Sequence, residues 1–150
     1  MLETQLIFDL QKRKSIIIYG AGMVGGLVYK RLVFNGLGNY IIGFAVTKKT
    51  VETYLNIPIY EISELTLYKD STDIIVATLP SFHKEMLDIL TLNGFHNIWK
   101  ITETLYNDMS AKYITDFKKK NIFEKKKERQ GERQKVEKRE REERLERKRE

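Results

Sequence analysis

The 150-residue sequence contains no cysteine and only two histidines. The absence of cysteine excludes disulfides, thiolate nucleophiles and cysteine-ligated metal sites. The two histidines, His83 and His96, are not spaced with acidic residues in the manner of metal ligands, so we expect no metal cofactor. Nothing in the sequence requires an oxidising compartment, and we therefore expect a cytoplasmic protein.

Long apolar runs are also lacking. No stretch approaches the roughly 18 apolar residues of a membrane span, and the N-terminal segment MLETQLIFDLQKRK lacks the apolar run of a signal peptide. We therefore expect a soluble chain without a transmembrane segment, with peripheral attachment to a membrane left open. The hydrophobic content of 41%, with seven Phe and eight Tyr, is enough for a single core.

Charge is unevenly distributed along the chain. Residues 121–150 carry 13 Lys or Arg against 9 Asp or Glu, whereas residues 1–120 carry 14 against 12. We predict two regions, a domain over 1–120 and a highly charged, helical or disordered tail over 121–150. In the tail, acids alternate with bases and residues 124–150 contain no aromatic, so we expect a solvated spacer rather than a nucleic-acid-binding arm. An arm that docks partners or an anionic membrane is the alternative.

Strand and helix patterns alternate along the first region. Strands are predicted at 15–19, 40–46, 73–79 and 97–101, and helices at 2–14, 23–35, 82–93 and 105–117, with a turn or short strand and a short helix between residues 55 and 68. This alternation predicts an α/β fold, a small doubly wound parallel sheet of four to five strands. Counting the four firm strands, we predict the order 2-1-3-4, which places the carboxyl ends of the first and third strands side by side at the ligand-binding edge.

The segment SIIIYGAGMVGG joins the first strand to the next helix. Gly20, Gly22 and Gly25 fit the pattern G-x-G-x-x-G in the strand–turn–helix context that gives the pattern meaning. Gly20 would allow the tight turn, Gly22 the approach of a diphosphate to backbone N–H groups, and Gly25 the packing of the helix on the sheet. The alternative is that the glycines only permit a tight connection. We predict a nucleotide-binding loop.

The acid that usually follows the second strand of a dinucleotide-binding fold is missing. Thr47, Lys48 and Lys49 stand there instead. Thr47 could bind a ribose hydroxyl, and the lysines would favour an additional phosphate, as in NADP, or a differently placed nucleotide. The alternative is a solvated loop tip.

No complete catalytic constellation is visible. His83 follows the third strand and could approach a ligand, although a histidine in the first turn of a helix is commonly just exposed, and His96 is predicted at the opposite edge. Neither a nucleophile elbow nor the phosphate loop of ATP hydrolysis is present. These absences favour a binding module over an enzyme.

Four segments together resemble a known family: IIIYGAGMVGG, IIGFAVTKKT, NIPIYEISEL and DIIVATLPSFHKEMLDILTLNGFHNIWKI. They are similar to the Rossmann-like nucleotide-binding domains attached to bacterial surface-glycan glycosyltransferases, polyol-phosphate transferases, methyltransferases and sugar acetyltransferases, over about residues 14–102. The acetyltransferase relatives commonly have acids where this chain has Thr47 and Lys48, and the catalytic domain of such proteins has no counterpart here.

The resemblance implies a set of ligand-binding residues. Those expected to approach the ligand are Gly20, Ala21, Gly22, Met23 and Val24, and those expected to line the cleft are Thr47, Thr78, Ser81 and His83. It implies a module for a nucleotide-sugar or dinucleotide in polysaccharide biosynthesis, working with a catalytic partner domain or protein. The alternatives are a small NAD(P)-dependent oxidoreductase that forms a homo-oligomer to complete its site, part of a glycan-assembly transferase, and a non-catalytic scaffold that docks partners through its tail.

Overall fold

A six-stranded sheet forms the centre of the first part of the chain. The computed structural model describes residues 1–149, and the chain divides into two compact units, Met1–Tyr113 and Ile114–Glu150. The strands are β1 (Ile16–Tyr19), β2 (Ile41–Val46), β3 (Thr53–Tyr54), β4 (Ile57–Glu61), β5 (Asp73–Val76) and β6 (Ile98–Lys100). Their order in the sheet is β3-β4-β2-β1-β5-β6, and all neighbours are parallel except β3 with β4.

The predicted mixed α/β class and the order of the four firm strands are confirmed, since β2, β1, β5 and β6 lie side by side in that order. The predicted number of strands is wrong, because the sheet has six rather than four to five. The additional strand is β3, which turns back on β4 through Leu55 and Asn56, both at positive φ. It contains only two residues and therefore carries no alternating pattern that a sequence could display.

Four α-helices accompany the sheet: α1 (Glu3–Leu10), α2 (Met23–Phe34), α3 (His83–Leu92) and α4 (Glu103–Arg149). Short 3-10 helices span Gly38–Tyr40, Ile62–Tyr68 and Pro80–Phe82. No helix among residues 1–149 is both long and apolar enough to cross a membrane.

Apolar side chains cover both faces of the sheet. Along β1, Ile16 and Ile18 belong to one buried cluster and Ile17 and Tyr19 to the other, as the two-residue period of a strand requires. The first cluster includes side chains of α1, α2 and the start of α4. The second includes side chains of α3 and of the 3-10 helix Ile62–Tyr68. Burial on both faces explains why β1 and residues 74–76 of β5 are continuous apolar runs in the sequence.

An ion pair lies buried within the first unit. The Arg31 guanidinium donates two hydrogen bonds to the Glu3 carboxylate, at 2.5 Å from Nε and 2.8 Å from Nη2. Both residues are almost fully buried. The Asp108 carboxylate accepts the Glu3 backbone N–H at 2.9 Å, which holds the pKa of Asp108 below its usual value. These contacts join α1 to α2 and to the beginning of α4.

The second unit consists of the remainder of α4, helical through Arg149. Its described side chains are mostly exposed. An i,i+4 ion pair is present, with Arg147 Nη2 at 3.8 Å from Glu143 Oε2, and the Lys127 ammonium lies 4.6 Å from the centre of the Phe123 ring.

Candidate functional site

The glycine loop leaves the carboxyl end of β1 in the middle of the sheet. Gly20 still belongs to the strand ladder, since its N–H donates to the Ala45 carbonyl oxygen at 2.9 Å. Its φ of +126° then turns the chain away, a conformation that strongly favours glycine. A Cβ at Gly20 would also lie 2.5 Å from the Ala77 carbonyl oxygen. Backbone conformation and packing therefore both require glycine at this position.

Gly25 is required for a different reason, the close packing of α2 on the loop. A Cβ at Gly25 would lie 1.9 Å from the Gly20 carbonyl oxygen, closer than any real carbon–oxygen contact. The first turn of α2 therefore packs directly on the backbone of the loop that precedes it. Gly20 and Gly25 are accounted for by the fold alone.

Gly22 is not required by the fold. A Cβ there would have no atom within 4 Å, and the extended backbone, with φ of −129°, suits any residue. The Gly22 carbonyl accepts the Gly26 N–H at 2.8 Å and the Tyr54 hydroxyl at 3.1 Å, which hold the loop from the helix side. The missing side chain leaves the outer surface of the loop open.

Gly22 is also the N-cap residue of α2. No described side chain caps this helix, and its first turn carries no acid. The other three helices each have an acid in the first turn, namely Glu3, Glu85 and Glu103. Helix N-termini expose unpaired N–H groups and a partial positive charge, so the start of α2 is the helix end in the described chain best prepared for an anion.

A cleft of about 320 Å³ opens over this loop, and we call it the glycine-loop cleft. Its walls are formed by Gly20, Ala21, Gly22, Met23, Val24, Ala77, Thr78, Leu79, Phe82 and Tyr106. Several of its apolar side chains are unusually open to solvent, with Met23 81% exposed, Leu79 59% and Phe82 52%. None of the described lining residues is a lysine or arginine, so the backbone N–H groups and the helix are the positive elements of this cleft.

A second cleft, of about 230 Å³, shares Gly20, Thr78 and Phe82 with the first, and we call it the tyrosine cleft. Its further lining residues are Tyr19, Val46, Thr47, Glu85 and Met86. The Tyr19 hydroxyl and Thr47 Oγ1 are 2.6 Å apart and form a hydrogen bond. The pKa of Tyr19 is raised mainly by burial and further by the nearby Glu85 carboxylate, against the lowering effect of the Thr47 hydrogen bond.

Most of the residues expected from the sequence meet at this edge of the sheet. Gly20, Ala21, Gly22, Met23, Val24 and Thr78 line the glycine-loop cleft, and Thr47 lines the tyrosine cleft. Gly25 lies beneath the loop as part of its support.

Besides Gly25, three of the expected residues line neither cleft. Lys48 and Ser81 are exposed, and His83 Nε2 donates to the Thr78 carbonyl oxygen at 3.0 Å, so that its ring stabilises the loop after β5. The neighbouring Lys49 ammonium is 3.1 Å from the Glu52 carboxylate, which raises the pKa of that lysine. Glu61, the last residue of β4, accepts the Lys49 backbone N–H at 3.0 Å through its carboxylate.

Besides apolar wall residues such as Leu79 and Phe82, the structure adds four residues with polar side-chain groups to the candidate site: Tyr19, Tyr54, Glu85 and Tyr106. Tyr19 has the pattern of a core strand residue, and only its place at the last position of β1 brings its hydroxyl to the edge. Glu85 looks like an ordinary first-turn acid in the sequence. Tyr54 and Tyr106 come from distant segments, and no local pattern connects them with the glycine loop.

In the described part of the chain, no three His, Asp or Glu side chains are placed to hold a metal ion. No protein-family model matches the sequence, and no curated protein is significantly similar to it.

Proposed function

We propose that the first unit is a Rossmann-like module that binds a nucleotide through its diphosphate. The observation that carries this proposal is Gly22, the one glycine of the motif that neither packing nor backbone conformation demands. A glycine on an open surface, at an uncapped helix end without a first-turn acid, suits the close approach of a phosphate to backbone N–H groups.

The position of the loop supports the same function. It follows the central strand β1, beside β5, where the two neighbouring connections lead to opposite faces of the sheet. In open parallel sheets this is where ligands bind, beyond the carboxyl ends of the strands. The exposed Met23, Leu79 and Phe82 side chains supply apolar surface suited to a base or to the carbon face of a sugar.

The ligand class that we propose is a nucleotide-sugar, with a dinucleotide as the alternative, and the setting is bacterial surface-glycan assembly. Support for this setting comes from the resemblance of the four sequence segments over residues 14–102. The chemical step is assigned to a partner domain or protein, because the described cleft residues contain no nucleophile paired with a base.

The test compares two substitutions of Gly22 in the full chain. Serine and aspartate are both good N-cap residues, so Gly22→Ser and Gly22→Asp should fold with the stability of the wild type or slightly more. Only aspartate places a negative charge where the phosphate would lie. In calorimetric titrations with UDP-glucose, CDP-glycerol, NADH and NADPH, we expect Gly22→Asp to lose at least tenfold in affinity and Gly22→Ser to lose much less.

Two results would contradict the proposal. One is a wild-type chain that binds none of these four compounds. The other is a ligand whose affinity is the same for Gly22→Asp as for the wild type, since its phosphates could not then lie on the loop. Transfer of hydride from NADPH to a sugar would instead favour the oxidoreductase.

A further inference from the structure

The tyrosine cleft contains a carboxylate that no structural contact explains. Glu85 is an exposed residue in the first turn of α3, and it forms no ion pair or hydrogen bond with any described side chain. Its carboxylate lies close enough to the Tyr19 hydroxyl to affect the pKa of that group. An acid, a threonine hydroxyl and a tyrosine hydroxyl therefore meet around one small opening.

This opening adjoins the place proposed for the diphosphate. Gly20, Thr78 and Phe82 form walls of both clefts, so a group attached to a phosphate on the glycine loop could extend into the tyrosine cleft. A second anionic group would be repelled there by Glu85. A neutral group that donates hydrogen bonds would be attracted, because hydrogen bonds to a carboxylate are stronger than those between neutral groups.

We propose that Glu85, Thr47 and Tyr19 form a subsite for the vicinal hydroxyls of a sugar ring, taking the place of the acid that is missing after β2. The proposal rests on the nucleotide-binding function argued above, and it assigns a binding site to the sugar part of the ligand, which the glycine loop does not reach. In this arrangement, two adjacent hydroxyls of the sugar donate hydrogen bonds to the two Glu85 carboxylate oxygens. A neighbouring oxygen of the same sugar contacts the Thr47 hydroxyl.

The pair of hydroxyl groups next to Glu85 is already oriented. Since the Tyr19 hydroxyl is held by Thr47 Oγ1 at 2.6 Å, one hydroxyl of the pair uses its only proton in that bond and the other directs its proton elsewhere. The burial of Tyr19, which is 1% exposed, keeps its ring from turning away. The Tyr19–Thr47 part of the subsite is therefore formed before the ligand arrives, which lowers the entropic cost of binding.

The hydroxyls could belong to the ribose of the nucleotide or to a sugar attached to its second phosphate. Both present the same vicinal pair, and the probes distinguish them. UDP and 2′-deoxy-UDP differ only in the ribose, whereas UDP-glucose adds a hexose. Inorganic pyrophosphate carries no hydroxyl pair and reports on the glycine loop alone.

The experiment measures the affinity of the full chain for these four probes by calorimetry, in the wild type and in Glu85→Gln, Thr47→Val and Asp88→Asn. Asp88→Asn is the matched control, because it removes the same charge from an exposed position of α3 that lines neither cleft. We expect Glu85→Gln to weaken binding of the hydroxyl-bearing probe about tenfold and Thr47→Val severalfold. Pyrophosphate should bind Glu85→Gln as well as or better than the wild type, and Asp88→Asn should bind all probes normally.

A preference for UDP over 2′-deoxy-UDP that disappears in Glu85→Gln identifies the ribose as the occupant. A preference for UDP-glucose over UDP that disappears in the same variant identifies the attached sugar. If the wild type and Glu85→Gln bind every probe with equal affinity, the proposed subsite is refuted, whereas the proposed phosphate-binding role of the glycine loop is not. Absence of binding by the wild type, pyrophosphate included, overturns the proposed function and the subsite with it.

Discussion

The buried pair of Glu3 and Arg31 permits a sharp test of how the first unit is held together. The side chains are 4% and 2% exposed, and the guanidinium contacts both carboxylate oxygens. The perturbation consists of Glu3→Leu, Arg31→Met and the double variant. Each single change removes one member of the pair and leaves the other charge buried, whereas the double change leaves apolar side chains of similar volume.

The expected magnitudes follow from this burial. Removing one partner of a buried ion pair costs about 3–5 kcal/mol, because the remaining charge stays desolvated. Arg31→Met should lie at the lower end of that range, since the Lys112 ammonium remains 3.9 Å from the Glu3 carboxylate. The double variant should lose about 2 kcal/mol at most, because such pairs can be replaced by apolar groups at little cost.

The assay is urea unfolding of the full chain, with the free energy of unfolding taken for all three variants. Lys112→Gln serves as a comparison, because it removes a partly exposed cation that lies 3.2 Å from Asp108 and 3.9 Å from Glu3 but leaves both hydrogen bonds between Arg31 and Glu3 in place; it should cost less than about 1 kcal/mol. A double variant whose loss equals the sum of the two single losses would refute the reasoning, as would a loss below about 1 kcal/mol for either single variant.

Three further predictions concern the carboxyl edge of the sheet. Gly25→Ala should destabilise the fold by about 3 kcal/mol or more in urea unfolding, because its Cβ would meet the Gly20 carbonyl oxygen, whereas Gly22→Ala should cost less than about 1 kcal/mol. Burial raises the pKa of Tyr19 above 10.0, so the neutral phenol favours the folded state. This stabilisation is complete below pH 10 and is lost as the pH rises through the higher folded-state pKa. The free energy of unfolding of Tyr19→Phe should therefore fall less steeply above pH 10 than that of the wild type. Tyr54→Phe removes the hydroxyl bond to the exposed Gly22 carbonyl and should cost about 0.5–1 kcal/mol in thermal unfolding, with no effect expected from Tyr68→Phe as control.

Much of the sheet is predictable from the sequence, because a strand that is buried on both faces consists of consecutive apolar residues. The runs 16–19 and 74–76 are apolar without interruption, and they become neighbouring parallel strands inside the sheet. The helices at 23–34 and 83–92 follow from apolar spacing and from the Asn-Gly pairs after them. Strand β3 is not predictable in this way, because a two-residue strand has no period.

The part of the candidate site on the glycine loop is predictable from the sequence, because the local turn and the packing of α2 on that turn decide it. Gly20 must be glycine because of its positive φ, and Gly25 because a Cβ would clash with the Gly20 carbonyl oxygen. Both requirements arise within the loop and helix α2, so the G-x-G-x-x-G pattern reveals them. The positions of Glu85 and Tyr54 near the loop depend on how segments distant in the sequence pack together, and a local sequence pattern carries no information about such contacts. His83 shows the same limit, because its bond to the Thr78 carbonyl depends on the conformation of the Pro80–Phe82 turn.

The single tryptophan determines how this chain can be observed. Trp99 lies in β6, and its indole N–H donates to Asp73 Oδ1 at 3.0 Å, at the amino end of β5. The glycine loop begins at the other end of the sheet, about 10 Å further along the strands. Indole fluorescence therefore reports directly on melting of the strands around Trp99, and no described residue of the two clefts contacts the indole through a hydrogen bond. Signals from Tyr19, Tyr54 and Tyr106 are the intrinsic optical probes that lie beside the two clefts.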